Sequence, residues 1–339
     1  MTTAILVGCG AMSRAWLAAA GQIDGLSIVG LVDLDIERAR SRAAEFGLDA
    51  AVGVSAVAMI DDLRPDVVFD VVVPAARASV VLPALARGCH VLTEKPLAAT
   101  LDEARAIVAA ARDAGRVHAV VQNRRYLAGI RRIRRFLDGG LIGRTTSIHG
   151  DLFLAPRFGG FREEMAHVLL LDMTIHTFDV ARAMTGRDAR RVYCREWEPA
   201  NSWYRSGSSA VAIFDLDGGA VFTYRGSWCA DGAPTSWEGA WRIVGERGSL
   251  VWDAFQGVRA EAITDTADGG SSRPVPVEVP PVDPRDRIGG HLGVMQDFVA
   301  ATCGGPPPET AGSDNLKSLA MVFGAIRSAE TGLPVDIET

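Results

Sequence analysis

The sequence predicts an α/β protein: a doubly wound parallel domain followed by an α+β domain built on an open, largely antiparallel sheet. Three observations carry that expectation. The apolar run Ala4-Ile5-Leu6-Val7 leads directly into Gly8-Cys9-Gly10-Ala11-Met12-Ser13. The next apolar run, Leu26-Ser27-Ile28-Val29-Gly30-Leu31-Val32, ends on an acidic residue, Asp33. Near Gln122 the alternation of strands and helices gives way to period-2 strands joined by hairpin signals.

The opening segment reads as strand, glycine-rich turn, helix and a second strand tipped by a carboxylate. Such a turn suits a dinucleotide. Gly8 permits the tight bend, Gly10 lets the backbone approach a pyrophosphate, and the helix behind them offers unpaired N–H groups and a positive dipole end. Ser13 stands where a third glycine is usual, a position that asks only for a small residue. Asp33 lies where a carboxylate accepts hydrogen bonds from ribose hydroxyls. Its charge, with that of Asp35, disfavours a 2′-phosphate and so favours NAD over NADP, although Arg38 and Arg40 stand close by. A dinucleotide-binding domain over residues 1–122 and a second domain over 123–339 are expected.

Further elements of the first domain follow in order. A helix reaches Ala44, Ala50-Ala51-Val52-Gly53 is a short strand, and Asp66–Val73 is a nearly continuous apolar run of the kind covered on both faces. A helix from Ser79 to Arg87, a strand Cys89–Thr93, an alanine-rich helix Leu101–Ala114 and a strand His118–Val121 complete it. In the second domain a helix is expected over Arg124–Gly140 and another over about Met165–Met184. Ser209–Asp215 and Ala220–Ser227 flank Asp217-Gly218-Gly219, and Trp237–Val244 and Ser249–Trp252 flank Gly245–Gly248, so both pairs read as hairpins. Helices around His291–Thr302 and Asn315–Thr331 close the chain, with loops at Gly269–Ser272 and Gly304–Pro308.

Composition narrows the function classes. The 339 residues are 48% hydrophobic and 22% charged, typical of a globular chain long enough for two domains. A net charge of −6 gives no general attraction for nucleic acid or anionic membrane. The five cysteines are scattered without a C-x-x-C pair, which supports neither a disulfide framework nor a zinc site, and no metal is expected. With no leader-like or membrane-spanning stretch, the expected home is the cytoplasm. The basic run Arg131-Arg132-x-Arg134-Arg135 is expected to be a solvated helix face. Six of the seven tryptophans lie in the second domain. An open sheet face carrying aromatics such as Trp228 or Trp241 would make an apolar patch, hence a homodimer or homotetramer.

Two segments can do chemistry. Glu94-Lys95-Pro96 falls just beyond the carboxyl end of a parallel strand, where α/β sheets bind ligands. A lysine there can bond a substrate hydroxyl. Asp172, His176 and Asp179 lie within about 60° of one another on a regular helix, among apolar neighbours. Such a group is either a satisfied core pair or an acid/base device, since histidine titrates near neutrality.

Taken together these segments resemble the Gfo/Idh/MocA oxidoreductases, over nearly the whole chain. The motifs are the turn at 8–13, Cys89-His90-Val91-Leu92-Thr93-Glu94-Lys95-Pro96-Leu97-Ala98, the junction Gln122-Asn123-Arg124-Arg125-Tyr126, and Leu171-Asp172-Met173-Thr174-Ile175-His176-Thr177-Phe178-Asp179. The resemblance implies that the catalytic lysine, aspartate and histidine are Lys95, Asp172 and His176. Cofactor contacts are expected from Gly8, Gly10, Ala11, Met12 and Asp33, then from Val73, Pro74, Glu94, Lys95 and Asn123. Substrate contacts are expected from Lys95, Asn123, Arg162, His167, Asp172 and His176. The implied reaction is NAD-dependent interconversion of a secondary alcohol and a ketone on a sugar, polyol or inositol-like molecule. An NAD-assisted glycosidase of the same fold and a dinucleotide-sensing regulator are the alternatives. Arg162, Glu163 and Glu164 carry both charge signs, which suits a neutral polyhydroxylated ligand. Three departures from the pattern stand out: Val73-Pro74-Ala75-Ala76-Arg77 stands where a T-P-x-x-x-H-like segment with a histidine is usual, His167-Val168 replaces two glycines, and Thr174 replaces a glycine.

Overall fold

The structure, a computed structural model, describes residues 1–263 and 273–338. It falls into two compact units, Met1–Tyr126 with Arg287–Leu316, and Leu127–Asp286 with Lys317–Thr339. The expected loop at Gly269–Ser272 lies outside the described residues.

The first unit is built on six parallel strands: β1 (Thr2–Val7), β2 (Leu26–Val32), β3 (Ala51–Gly53), β4 (Val67–Asp70), β5 (His90–Thr93) and β6 (His118–Val120). Their spatial order is β3-β2-β1-β4-β5-β6, the Rossmann arrangement, which reverses between β1 and β4. That reversal opens a crevice at the carboxyl ends of the strands. Helices α1 (Ser13–Ala20), α2 (Ile36–Glu45), α3 (Ala56–Leu63), α4 (Pro74–Ala86) and α5 (Leu101–Asp113) alternate with the strands. Asp35, Ser55 and Thr100 cap α2, α3 and α5 with side-chain oxygens. Helix α4 begins five residues before Ser79 because Pro74 is preorganised for a first helical position. Trp16 of α1 meets Phe69 of β4 edge to face at 5.5 Å.

The second unit begins with α6 (Ala128–Asp138), shorter than the expected Arg124–Gly140. Asn123–Tyr126 instead forms a separate 3-10 turn, and Leu127 is extended. Tertiary bonds impose that break. Tyr126 donates its hydroxyl to Asp297 at 2.7 Å, while Arg125 reaches the Glu309 carbonyl and the Asp314 carboxylate. The basic run on α6 is not simply solvated, as expected from sequence. Arg132 donates to the carbonyls of Val279 and Pro280, and Arg135 to Pro281 and Asp286, so these arginines strap down the segment 279–286.

Nine strands form the second sheet: β7 (Thr145–Phe153), β8 (Ala189–Trp197), β9 (Ser209–Leu216), β10 (Val221–Ser227), β11 (Ala240–Gly245), β12 (Gly248–Asp253), β13 (Gly257–Ala262), β14 (Val275–Val277) and β15 (Val335–Asp336). All neighbours are antiparallel except β7 and β10. Both expected hairpins, β9–β10 and β11–β12, are present. On β9 the residues Ala210, Ala212, Phe214 and Leu216 are buried and alternate with Val211, Ile213 and Asp215. Helix α7 (Ile175–Thr185) covers the buried side, with Phe178 against Phe214, Phe222 and Tyr224. Trp228 and Trp241 are only 1% and 3% exposed, contrary to the expectation that they line an open face. Trp241 fits over Gly150, where a Cβ would stand 2.9 Å from its ring, and stacks on Phe222. The less covered face carries Tyr193, Trp197 and Ile213 instead.

Two helices complete the chain. Helix α8 (His291–Thr302) joins the first unit, adding Val294, Met295 and Phe298 to the core around Trp16. Helix α9 spans Gly312–Thr331. No helix among the described residues is long and apolar enough to cross a membrane.

Candidate active site

In the first unit the turn after β1 is held from both sides. Gly8 has φ +99°, and a Cβ there would stand 2.7 Å from the Val71 backbone. Gly10 faces open space, with nothing within 4 Å of a hypothetical Cβ. Ser13, fully buried, donates its hydroxyl to the Gly10 carbonyl at 2.6 Å, so the small third residue serves the turn itself. Asp33 accepts the Cys9 amide at 2.8 Å and the Asp35 amide at 2.9 Å, tying the turn to the end of β2. Arg38 stands 3.9 Å from Asp33, whereas Arg40 is occupied by Glu37. A dinucleotide fits this cradle: the backbone is close and bare at Gly10, a helix N-terminus follows at Ala11 and Met12, and a fixed carboxylate stands at the ribose position.

Val73 and Pro74 open α4 beyond β4, and Val73 is exposed. Beyond β5 the turn Glu94-Lys95-Pro96 is tightly built. The Glu94 amide donates to the Asp70 carbonyl at 2.8 Å, and the Lys95 amide to the Glu94 carboxylate at 2.6 Å. Burial by itself raises the Glu94 pKa, but His291 at 4.0 Å and neighbouring Lys95 more than offset it, holding the carboxyl below the usual range. At the end of β6, Asn123 buries its side-chain oxygen without a partner among the described residues. Gln122, which opens the junction motif but is given no site role by the sequence, does the same with both amide atoms. Buried polar groups of that kind are uncommon and mark places where a ligand or water bonds. Its place in that motif, just beyond a strand's carboxyl end, is the signal that points to it.

In the second unit the expected helix Met165–Met184 begins only after His167 and is made of two pieces, preceded by a separate short turn. Gly160–Glu164 is a 3-10 turn, Leu169–Thr174 a π-turn and Ile175–Thr185 the regular helix α7. The interruption lies at His167, whose φ of +52° is incompatible with a continuous helix. π-turns are rare and concentrate at functional sites. Here the wider turn carries Asp172, while His176 sits one residue into α7. Thr174 donates its hydroxyl to the Leu170 carbonyl at 2.6 Å. Asp172 is bonded to Arg162 Nε at 2.7 Å and is 15% exposed on its side chain. His176 is 9% exposed, among buried Met173, Ile175 and Val180. Asp179 belongs to a different network. It accepts from Ser318 at 2.7 Å, and Arg182 joins Ser318 to Asp188, which Lys317 also pairs.

His167 has a carboxylate at each nitrogen, Glu196 at 2.5 Å from Nδ1 and Glu330 at 3.5 Å from Nε2. The Glu196 bond is the main cause that raises its pKa, against the opposing effect of burial. Gly207 makes room for this pair, since a Cβ there would meet Glu196 at 2.3 Å and the His167 Cα at 2.7 Å. Arg162 also lies over the rings of Phe158 and Phe161. Glu163 contributes its carbonyl to the Arg205 amide. Among the described residues no cluster of three His, Cys, Asp or Glu side chains could hold a metal.

Fold and cradle define an NAD-binding oxidoreductase. Residues 2–122 match the oxidoreductase family with the NAD-binding Rossmann fold, and residues 130–251 match the GFO/IDH/MocA C-terminal domain; the chain belongs to the Gfo/Idh/MocA family. It is 28% identical to a D-apiose dehydrogenase of Paraburkholderia graminis, over 98% of this chain and 89% of the relative. It is 26% identical to a 1,5-anhydro-D-fructose reductase of Ensifer adhaerens, over 98% of each. An oxidoreductase from Agrobacterium radiobacter, solved in complex with NAD+, L-tartaric acid and magnesium, shares the fold with a TM-score of 0.86 at 23% identity, covering 99% of this chain and 98% of that one.

Proposed function

We propose that the protein is an NAD-dependent dehydrogenase that interconverts a secondary alcohol and a ketone on a neutral sugar, polyol or inositol-like substrate. The observation that carries this is the pairing, in one chain, of a complete dinucleotide cradle with Asp172 and His176 on a π-interrupted helix of apolar surroundings. Bound NAD supplies the hydride acceptor. His176 takes the hydroxyl proton, Lys95 bonds the same oxygen and stabilises its developing negative charge, and Asp172 orients substrate or histidine. The Arg162–Asp172 pair leaves little net charge beside these groups, which favours a neutral ligand. Named relatives that act on D-apiose and 1,5-anhydro-D-fructose support a sugar-like substrate. Incubation with NAD and a panel of neutral sugars, inositols, sugar acids and small hydroxy acids, followed by appearance of reduced nicotinamide, tests the proposal. Oxidation of sugars or inositols is expected. Activity confined to hydroxy acids would overturn the substrate class, and reduction of NAD by none of them would overturn the dehydrogenase.

NAD rather than NADP is proposed because the Asp33 carboxylate can accept ribose hydroxyls and repels a 2′-phosphate. Asp33→Ala is expected to weaken NAD binding and narrow its advantage over NADP, read by titration of both cofactors. Tighter binding of NADP by the wild type would shift the assignment to Arg38.

A homodimer or homotetramer is also proposed, through the sheet face bearing Tyr193, Trp197 and Ile213, all exposed apolar side chains. Light scattering at micromolar concentration is expected to show an oligomer that Trp197→Glu weakens; a monomeric wild type would refute it.

A further inference from the structure

We infer that Arg77 is a positioning residue for Lys95, acting through the turn that carries it; the inference rests on the proposed role of Lys95. Arg77 is fully buried on α4, and its guanidinium is shared among three acceptors. Nε donates to the Asp70 carboxylate at 2.8 Å, one terminal nitrogen donates to the Val72 carbonyl at 2.7 Å, and the other donates to the Pro96 carbonyl. Those acceptors stand on two stretches of chain: residues 70–72 at the end of β4 and beyond it, and the turn after β5. One rigid planar fork therefore sets the distance between the two strand-end loops that border the cradle. Pro96 is bonded directly to Lys95, so the fork holds the backbone immediately after the catalytic ammonium's own residue.

Stability by itself does not require an ion pair here: Asp70 is also fully buried, and a buried pair replaced as a whole by apolar side chains is often neutral, although removing Arg77 alone leaves Asp70 and two carbonyls without their donor. What apolar side chains cannot do is bond two backbone carbonyls and a carboxylate in fixed geometry. Lysine, a point donor on a flexible stem, reproduces the charge but not the fork. The three bonds of Arg77 thus assign it the holding of the Lys95 turn.

The test is a double-mutant cycle between position 77 and Lys95, with turnover, substrate KM, NAD affinity and thermal unfolding measured for Arg77→Met, Lys95→Met and the double variant. Arg77→Met is expected to lower kcat by about 10²-fold, the scale of an ångström-level misplacement, with KM and NAD affinity changed less than about threefold. In the Lys95→Met background the same substitution is expected to cost almost nothing further, because the group it positions is gone. Arg77→Lys should recover part of the turnover, and if Arg77→Met does not fold, Arg77→Lys replaces it throughout the cycle. Effects of Arg77 and Lys95 that multiply, or an unchanged kcat beside a lowered unfolding temperature, would overturn the inference and leave Lys95 catalytic. Wild-type turnover in Lys95→Met alone would overturn both.

Discussion

Alanine at Lys95 or at His176 is expected to lower turnover by about 10²–10⁴-fold, the range for loss of an acid/base group, while NAD affinity changes little. The two substitutions act on different requirements. On the proposed mechanism, loss of Lys95 removes a cationic hydrogen-bond donor from the oxygen that gains negative charge, and loss of His176 removes the acceptor of the hydroxyl proton. Lys95 lies on a turn tied down by Asp70 and Glu94, and His176 is buried at the start of α7. Truncation of either side chain leaves the backbone bonds of the Lys95 turn in place. Steady-state kinetics with the best substrate of the panel, alongside NAD titration and far-UV circular dichroism, separate lost chemistry from lost folding. Near-normal turnover in both variants would return these residues to a packing role.

Gly8→Ala and Gly10→Ala should separate what the turn does for the fold from what it does for the cofactor. At Gly8 a methyl group would meet the backbone of Val71 at 2.7 Å and that of Val72 at 3.0 Å, from a φ that L-residues rarely adopt. Backbone cannot yield as a side-chain tip can, so a loss of roughly 2–4 kcal/mol is expected from strain and overpacking together, with NAD binding abolished. At Gly10 the methyl meets nothing, and stability should stay within about 1 kcal/mol of wild type. NAD affinity should nevertheless fall at least tenfold, because that bare backbone is where the pyrophosphate would approach. Urea unfolding and NAD titration of both variants make the comparison. Equal NAD affinity in Gly10→Ala and wild type would remove the turn from the binding site.

Local signals account well for the first unit. Strand, glycine turn and acidic tip lie within about thirty consecutive residues of sequence, and parallel strands buried on both faces write themselves as apolar runs. The same holds for the β9–β10 and β11–β12 hairpins, whose turns are chosen by glycine. Helix boundaries in the second unit were less legible. The π-turn at Leu169–Thr174 and the left-handed His167 depend on Glu196, Glu330 and Gly207, residues 29 to 163 positions away in the chain. A regular helical period still placed Asp172, His176 and Asp179 near one another, but could not tell that Asp179 is committed to Ser318.

By itself, then, the sequence determined the fold class, the cradle and the family, because these rest on short-range patterns of glycine, apolar spacing and charge. Only the tertiary structure decided which polar groups are engaged elsewhere. It returned α8 to the first core, turned the basic face of α6 into a strap for residues 279–286, and buried Trp228 and Trp241. It also assigned Arg77 three acceptors on two stretches of chain. The physical reason is common to all four: a side chain's role is settled by the partner that satisfies it, and that partner is brought close by folding, not by position along the chain.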